Sequence, residues 1–371
     1  MQRCDEREIL ASTWCDANLV SHPGPIYNND CVSVLVVANF LSVKGFNRGY
    51  SEELAARLEA RGRCVVRTSS EVGRARRLID MITTVWRRRH DYTVALIDVF
   101  SGPSFVWAEA VAFELRRLRK PYVLTLRGGS LPEFAARWPR RVRHLLTSAV
   151  AVTAPSDFLV DGMRKYRTDL TVVPNALELA DYVFAIRTQV SPRIIWVRAF
   201  HAIYNPILAV EVLARVSAKY PAAELVMIGP DKDGSQHAVE QRAVELGVRD
   251  RLKLLGRIAK HDIPAHLAAA DIFLNTTNVD NAPLSVLEAM ATGLCVVSTA
   301  VGGIPFLLHD GDTALLVPPD DADAMSTAVE KIVGDSKLAN RLSGRAHAFA
   351  RSRDWAHVLP LWDRLIDEAH G

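Results

Sequence analysis

Short apolar runs alternate with amphipathic stretches along most of the chain. In the first half the apolar runs fall at 33–38, 64–68, 93–98, 121–126 and 149–153. Each is nearly continuous, the pattern of a parallel strand buried on both faces. Between them, 49–61, 74–89, 104–118 and 132–146 space their apolar positions as helices do. The alternation pauses near Val173-Pro174-Asn175, and a mixed stretch over 176–192 ends at Ser191-Pro192. It resumes with strands predicted at 194–198, 224–228, 252–255, 271–275, 295–298 and 314–317. The helices predicted with them are 205–219, 236–246, 262–269, 283–292 and 322–333, and two more follow at 336–350 and 355–369. Residues 1–30 show no periodicity, and Pro23, Gly24 and Pro25 read as irregular chain. Two blocks of strand–helix alternation predict two similar doubly wound α/β domains facing a cleft, the default place for a ligand. The expected limits are an irregular extension at 1–30, a first domain at 31–178 and a second at 190–354.

Composition changes this picture little. A chain of 371 residues is long enough for two sizeable cores, and its 49% hydrophobic and 23% charged content is ordinary for a globular protein. A net charge of +3 gives no global attraction to nucleic acid. The arginines are unevenly spread. Arg57, Arg61, Arg63, Arg67, Arg74, Arg76, Arg77, Arg87, Arg88 and Arg89 crowd the first half, and Arg137, Arg140, Arg141 and Arg143 follow. Two readings stand: a solvated face, or a patch for anionic lipid or an anionic acceptor. Five scattered cysteines without a CxxC pair indicate neither a zinc site nor a disulfide framework. Asp5, Glu6, Arg7 and Glu8 do not resemble a signal peptide. Residues 289–308 carry no charge, long enough to raise the membrane question, but Gly293, Gly302, Gly303 and Pro305 divide them. The expectation is a soluble cytoplasmic protein. Arg140-Arg141-Val142-Arg143 suggests the inner membrane face as an alternative, though Pro139 interrupts a clean amphipathic helix there.

The candidate chemistry centres on one acid. No charge other than Glu288 appears from Asn281 to Leu308. Pro283 suits an early helix position and Gly293 a helix stop, so Asp280 falls in the loop at the helix entrance and Glu288 more than a turn inside. Burying a carboxylate on an apolar helix is costly unless something hydrogen-bonds it. The first amides of a helix, with no intrahelical partner, attract anions. A loop acid, a helix N-terminus and a buried acid together suit a ligand with hydroxyls and phosphates.

Other segments sit where predicted strands end, the ligand side of an open α/β sheet. They are the glycine loop Lys44-Gly45-Phe46-Asn47-Arg48-Gly49, Arg127-Gly128-Gly129, and Arg198 with His201. Gly229-Pro230-Asp231 and Val301-Gly302-Gly303 complete the set. A guanidinium at Arg198 is shaped to clamp diphosphate oxygens, whereas His201 alone reads as a structural residue. Paired glycines at 302–303 are placed to present amides to a phosphate or base. The dinucleotide fingerprint GxGxxG and the phosphate loop GxxxxGK[ST] are both absent. Asp231–Asp233 and Asp321–Asp323 have the spacing of a metal–diphosphate pair, but the first lies in a Gly-containing turn and the second at a helix start. No metal is expected. GxSxG and HExxH are also absent, which removes serine- and zinc-hydrolase readings.

Residues 271–319 resemble a retaining glycosyltransferase of the GT-B fold, in glycosyltransferase family 4. Asp280 and Glu288 stand with seven residues between them, followed by Ala289-Met290-Ala291-Thr292-Gly293, Cys295-Val296-Val297, Val301-Gly302-Gly303-Ile304-Pro305 and Val317-Pro318-Pro319. Weaker agreement extends over roughly 31–355. The resemblance implies an acceptor-binding first domain, a second domain for a nucleotide-diphosphate sugar, and a last helix, 355–371, crossing back to the first. It also implies residue roles. Glu288 would hold the ribose hydroxyls and Asp280 would touch the transferred sugar, while Asn281, Ala282, Pro283 and Leu284 would support sugar and phosphate. Arg198 would meet the diphosphate, Gly45 would let the first loop close over it, and Gly229, Gly302 and Gly303 would line the donor site. The donor would be a UDP- or GDP-sugar and the acceptor a glycan, a lipid-linked molecule or a small molecule. Retention without metal or protein nucleophile would follow, because arginine and helix amides stabilise the leaving diphosphate. Removing one such donor typically costs about 3–4 kcal/mol. Three departures stand out: Asp280 where the family usually has Glu, Arg127 where many members carry a histidine, and no lysine following Arg198. Lys260 and Arg127 are the cations that would replace that lysine. A non-catalytic sugar-nucleotide-binding scaffold, a nucleotide-sugar epimerase and a phosphorylase are the alternatives, the last without a recognisable cofactor lysine.

Overall fold

The computed structural model describes residues 32–45 and 48–371, and the extension predicted at 1–30 lies outside the described residues. The first domain runs β1 (Val34–Val37), α1 (Tyr50–Ala60), β2 (Val65–Thr68), α2 (Arg74–Arg87), β3 (Val94–Val99) and α3 (Phe105–Arg117). It continues with β4 (Tyr122–Leu126), α4 (Leu131–Arg137), α5 (Pro139–Ser148), β5 (Ala151–Ala154), α6 (Asp157–Met163) and β6 (Leu170–Val172). The six strands form one parallel sheet in the order β2-β1-β3-β4-β5-β6. The second domain runs β7 (Arg193–Val197), α7 (Pro206–Lys219), β8 (Glu224–Ile228), α8 (Ser235–Glu245), β9 (Leu252–Gly256) and α9 (Ile263–Ala268). Then come β10 (Ile272–Asn275), α10 (Leu284–Thr292), β11 (Cys295–Thr299), α11 (Ile304–Leu307), β12 (Leu315–Val317), α12 (Ala322–Gly334) and α13 (Ser336–Arg351). Its sheet is also parallel, ordered β12-β11-β10-β7-β8-β9. The last helix is α14 (Trp355–His370).

Three local differences from the sequence expectation have physical causes. The single helix expected at 132–146 is two, because Pro139 lacks an amide and holds Trp138 away from helical geometry (φ −128°, ψ 54°). Between β5 and β6 lies α6, seven residues started by Ser156, whose Oγ accepts from the Leu159 amide at 3.4 Å. The strand β6 is only three residues long and pairs on one side alone, too short to show a period.

Both sheets are buried on both faces. In the first, Leu35, Val37 and Ile97 pack with the α2–α6 side, while Val34, Val36 and Leu96 pack with α1 and α14. Along α14, Trp355, Val358, Leu359, Trp362, Leu365 and Ile366 recur at helical spacing and are buried in that second cluster. Burying each such side chain is worth about 1.5–3 kcal/mol, so the crossing helix is an integral layer of the first domain. The two crossings between domains run side by side. The Leu177 amide donates to the Arg353 carbonyl at 3.0 Å, and the Trp355 amide donates back to the Leu177 carbonyl at 3.1 Å. No helix among the described residues is long and apolar enough to cross a membrane.

Candidate functional site

In the second sheet β7 lies between β10 and β8, so chain connections diverge at the β7–β10 boundary, the crevice where open α/β sheets take ligands. Arg198 follows β7 directly, and the loop 276–283 follows β10. The loop is tied down at its start. Trp196 Nε1 donates to Thr276 Oγ1 at 2.9 Å, Thr276 donates to the Tyr204 carbonyl at 2.7 Å, and Thr299 donates to the Thr277 carbonyl at 2.6 Å. Beyond it, α10 begins after Pro283 and ends at Gly293. The first-turn amides of α10, which have no intrahelical acceptor, are not capped by the side chain of Pro283 before it. The hydroxyl of Ser285 in that turn is buried without a partner.

Glu288 lies in α10, 9% exposed, on the wall of a cavity of about 720 Å³ between the domains. Leu284, Lys260, Tyr182, Tyr50 and Trp355 share that wall. Burial pushes the Glu288 carboxyl above its ordinary pKa, opposed by the Lys260 charge, the Tyr182 hydroxyl and the Arg198 charge. Lys260, which sequence could name but not place, thus stands beside Glu288. Tyr182, Tyr50 and Trp355 were not foreseen. They come from the linker, α1 and α14, distant in sequence, and only the fold brings them together.

Arg198 and Asp280 form an ion pair. The guanidinium also lies over the Tyr204 ring at 4.5 Å, and its Nε is buried without a partner. Burial holds its pKa below the usual guanidinium value. Asp280 turns a second oxygen to the Asn281 amide at 2.9 Å. The two residues assigned to diphosphate and sugar therefore occupy one another.

The glycines act mainly on the backbone around this pair. A Cβ at Gly302 would stand 2.2 Å from the Asp280 carbonyl oxygen, and one at Gly303 2.1 Å from that of Asn281. The Gly303 amide donates to the Asp280 carbonyl at 3.0 Å. The expectation that this pair presents amides to a ligand is corrected to that extent: the Gly303 amide is already engaged, and both residues support the loop. At Gly229 a Cβ would lie 1.7 Å from the Arg198 carbonyl oxygen, so this glycine lets the end of β8 pass under Arg198. Gly45 offers its carbonyl to Arg257 Nη1 at 3.2 Å, joining the first-domain loop to the end of β9.

The first domain grips the same loop. Gly129 lies against it, and a Cβ there would be in ordinary contact, 3.4 Å from the Asp280 carbonyl carbon. Ser156 donates to the Asn281 side-chain oxygen, and Asn175 Nδ2 donates to the Ala282 carbonyl at 2.9 Å. Arg127 is turned into its own domain. Its Nε donates to Asp98 at 3.1 Å, its Nη1 to the Asn175 side-chain oxygen at 3.3 Å, and its guanidinium lies over Tyr50 at 4.3 Å. Its Nη2 is buried without a partner. Burial raises the Tyr50 hydroxyl to a pKa of about 12, with the Arg127 charge opposing.

Other candidates have local duties. His201 Nδ1 accepts from the Ile203 amide at 3.2 Å and starts a turn. Asp231 accepts from the Gly234 amide at 3.0 Å, and Asp233 from the Ala202 amide at 2.8 Å. Asp321 caps α12 through the Ala324 amide at 2.8 Å, and Asp323 pairs with Arg215 at 2.6 Å. Among the described residues no group of three or more His, Cys, Asp or Glu side chains is placed to hold a metal ion.

Residues 188–349 match the family model described as glycosyl transferases group 1. Among curated relatives, the lipopolysaccharide core biosynthesis glycosyltransferase LpsE of Rhizobium meliloti is 31% identical over 135 residues, 36% of this chain and 38% of the relative. The D-inositol 3-phosphate glycosyltransferase of Stackebrandtia nassauensis is 28% identical over 222 residues, 56% of this chain and 50% of the relative. The chain thus spans half or less of the length of these relatives. Among solved structures, sucrose-phosphate synthase from Thermosynechococcus elongatus superposes with a TM-score of 0.74 at 17% identity, over 91% of this chain and 98% of the other. HepE of Anabaena, in complex with UDP and glucose, does so with a TM-score of 0.72 at 18% identity, over 91% and 100%. Residues 188–349 thus resemble the glycosyl transferases group 1, and the chain has the two-domain GT-B fold.

Proposed function

We propose that this chain moves a sugar from a nucleotide-diphosphate sugar to an acceptor hydroxyl. The observation that carries the reading is the interdomain cavity holding buried Glu288, at the strand ends that also bear the Arg198–Asp280 pair and the open first turn of α10. In this reading Glu288 accepts hydrogen bonds from the ribose hydroxyls, with Lys260 offsetting its charge. Arg198 and the first-turn amides of α10, from Leu284 onward, take the diphosphate, so donor binding draws Arg198 away from Asp280. Asp280 is then free for hydroxyls of the transferred sugar, its loop backed by Gly302, Gly303 and Gly129. The sugar's bond to the phosphate oxygen breaks as the acceptor oxygen bonds to the same carbon. The acceptor proton passes to the departing phosphate on the same face, which retains configuration without metal or protein nucleophile. Arg198 and the helix amides stabilise the charge developing on the diphosphate.

The donor is of the UDP- or GDP-sugar class, supported by the UDP and glucose in the HepE complex. A glycan or lipid-linked acceptor agrees with the lipopolysaccharide core in one relative's name, and a small-molecule acceptor with the D-inositol 3-phosphate in the other's. The α2–α3 flank leaves Ile79, Trp86 and Phe113 exposed among Arg87, Arg88 and Arg117, a composition suited to an anionic membrane surface.

Titration calorimetry with UDP and GDP tests the ribose assignment. Hydrogen bonds to a charged group contribute about 1.5–3 kcal/mol, so Glu288→Gln is expected to weaken nucleotide binding roughly 10- to 100-fold. Unchanged affinity removes Glu288 from the site. Nucleotide release from a panel of UDP- and GDP-sugars with glycan acceptors then tests transfer. Binding without release favours a non-catalytic scaffold, a role that Arg198 and Asp280, paired with one another, also permit. Interconversion of the donor alone favours an epimerase.

A further inference from the structure

A second pocket, of about 460 Å³, opens on the first domain at the ends of β3 and β4. Ser101 follows β3; Ser130, Glu133, Phe134, Arg137 and Trp138 come from the segment after β4. It lies beside the donor loop. A Cβ at Gly128 would be 3.3 Å from the Ser101 amide, and one at Gly129 would be 3.4 Å from Asp280, so one residue separates the pocket lining from the loop.

Its chemistry is unspent. Glu133 and Arg137 stand four residues apart on α4, the spacing at which opposite charges usually pair, yet neither appears in an ion pair among the described residues. Both are exposed. Trp138 is 53% exposed, held out where Pro139 breaks the helix. An open indole face thus stands beside an acceptor, a donor and two hydroxyls. The lining's two charges cancel, and it lacks the cluster of cations a phosphate would require.

We propose that this pocket holds the acceptor as an uncharged sugar ring, the C–H face of the ring against Trp138 and its hydroxyls bonded by Glu133, Arg137 and the two serines. The inference rests on the transferase reading above, because it takes the loop at Asp280 as the place where the donor sugar arrives. A ring seated here lies one residue from the Asp280 loop, across Gly129. The pocket volume falls within the range of about 300–1,000 Å³ typical of small-molecule sites.

Saturation-transfer NMR tests this with methyl α-D-mannopyranoside, methyl β-D-glucopyranoside and methyl β-D-galactopyranoside, and glycerol 3-phosphate as the charged comparator. UDP binding is followed separately by calorimetry. At least one glycoside is expected to bind the full chain in the millimolar range. Trp138→Ala and Glu133→Gln are each expected to weaken it at least fivefold while UDP affinity and melting temperature stay unchanged. The proposal is overturned if no glycoside binds, if both variants bind as the parent does, or if glycerol 3-phosphate displaces the glycosides. Loss of UDP binding by the parent, with glycoside binding intact, would sink the donor reading and leave the sugar pocket standing.

Discussion

Gly302→Ala isolates the support of the donor loop. At Gly302 the backbone φ is 53° and an added methyl would meet the Asp280 carbonyl oxygen at 2.2 Å, when ordinary contact begins near 3.4 Å. The loop must therefore yield by more than an ångström, and it is held from the other side by Gly129, Ser156 and Asn175. Placing alanine in the left-handed region costs about 1–2 kcal/mol, and overpacking a constrained site adds about 1–3 kcal/mol. Gly311→Ala is the matched control. Its φ is 70° and nothing lies within 4 Å of the added methyl, so it bears only the backbone cost. In a domain of this size 1 kcal/mol lowers the melting temperature by about 2–4 °C. Gly302→Ala is thus expected to melt at least about 2 °C below Gly311→Ala in differential scanning calorimetry, with faster hydrogen exchange confined to residues 280–287. Equal melting of the two variants would refute the claim that Gly302 supports the loop by close approach.

Glu288 gives a pH test. Burial raises its pKa, so the folded chain holds this proton to higher pH than the unfolded chain does. The associated stability is whole below the ordinary value of 4.5 and falls as pH rises through the folded pKa. Glu288→Gln should therefore melt above the parent at pH 8, with the gap closing toward pH 4; a gap that widens on acidification reverses the sign and rejects the reading. Asp271 sits 3% exposed between Arg187 and Arg193, at 3.1 and 2.9 Å. Asp271→Asn strands the buried Arg187 charge and should cost about 3–5 kcal/mol by chemical denaturation; a loss below about 1 kcal/mol would show the pair to be dispensable. Asn175→Ala removes the bond to the Ala282 carbonyl, worth about 1 kcal/mol, and is expected to speed exchange at 280–283 with the strands unchanged; slow exchange there would mean that Asn175 does not hold the loop.

Much of this fold was legible because parallel strands buried on both faces leave unbroken apolar runs, and Pro283 and Gly293 bracket α10 plainly. Glu288 stood out because nothing else on that helix is charged. Arg127 shows the limit. Its place at the end of β4 was readable, but its direction is set by Asp98, Tyr50 and Asn175, which no local pattern connects to it. Tyr182 and Lys260 reach Glu288 for the same reason, through domain packing and not spacing. Short elements such as β6 and α6 hold too few residues for a period to emerge, and their existence depends on the sheet edge they complete.

The helix that crosses back has a consequence for synthesis. Trp362 donates to the Tyr50 hydroxyl at 3.1 Å and lies 5.9 Å from the Arg127 guanidinium, while its neighbours cover Val34, Val36 and Val123. Until residues 355–370 leave the ribosome, one face of the first sheet has only α1 for cover, although every strand of that sheet was translated long before. The nascent first domain must wait, that apolar face partly exposed, through production of the whole second domain. This predicts that chaperone dependence in the cell is concentrated in that interval, and that a ribosome-stalled chain ending before residue 355 is more protease-sensitive in its first domain than in its second.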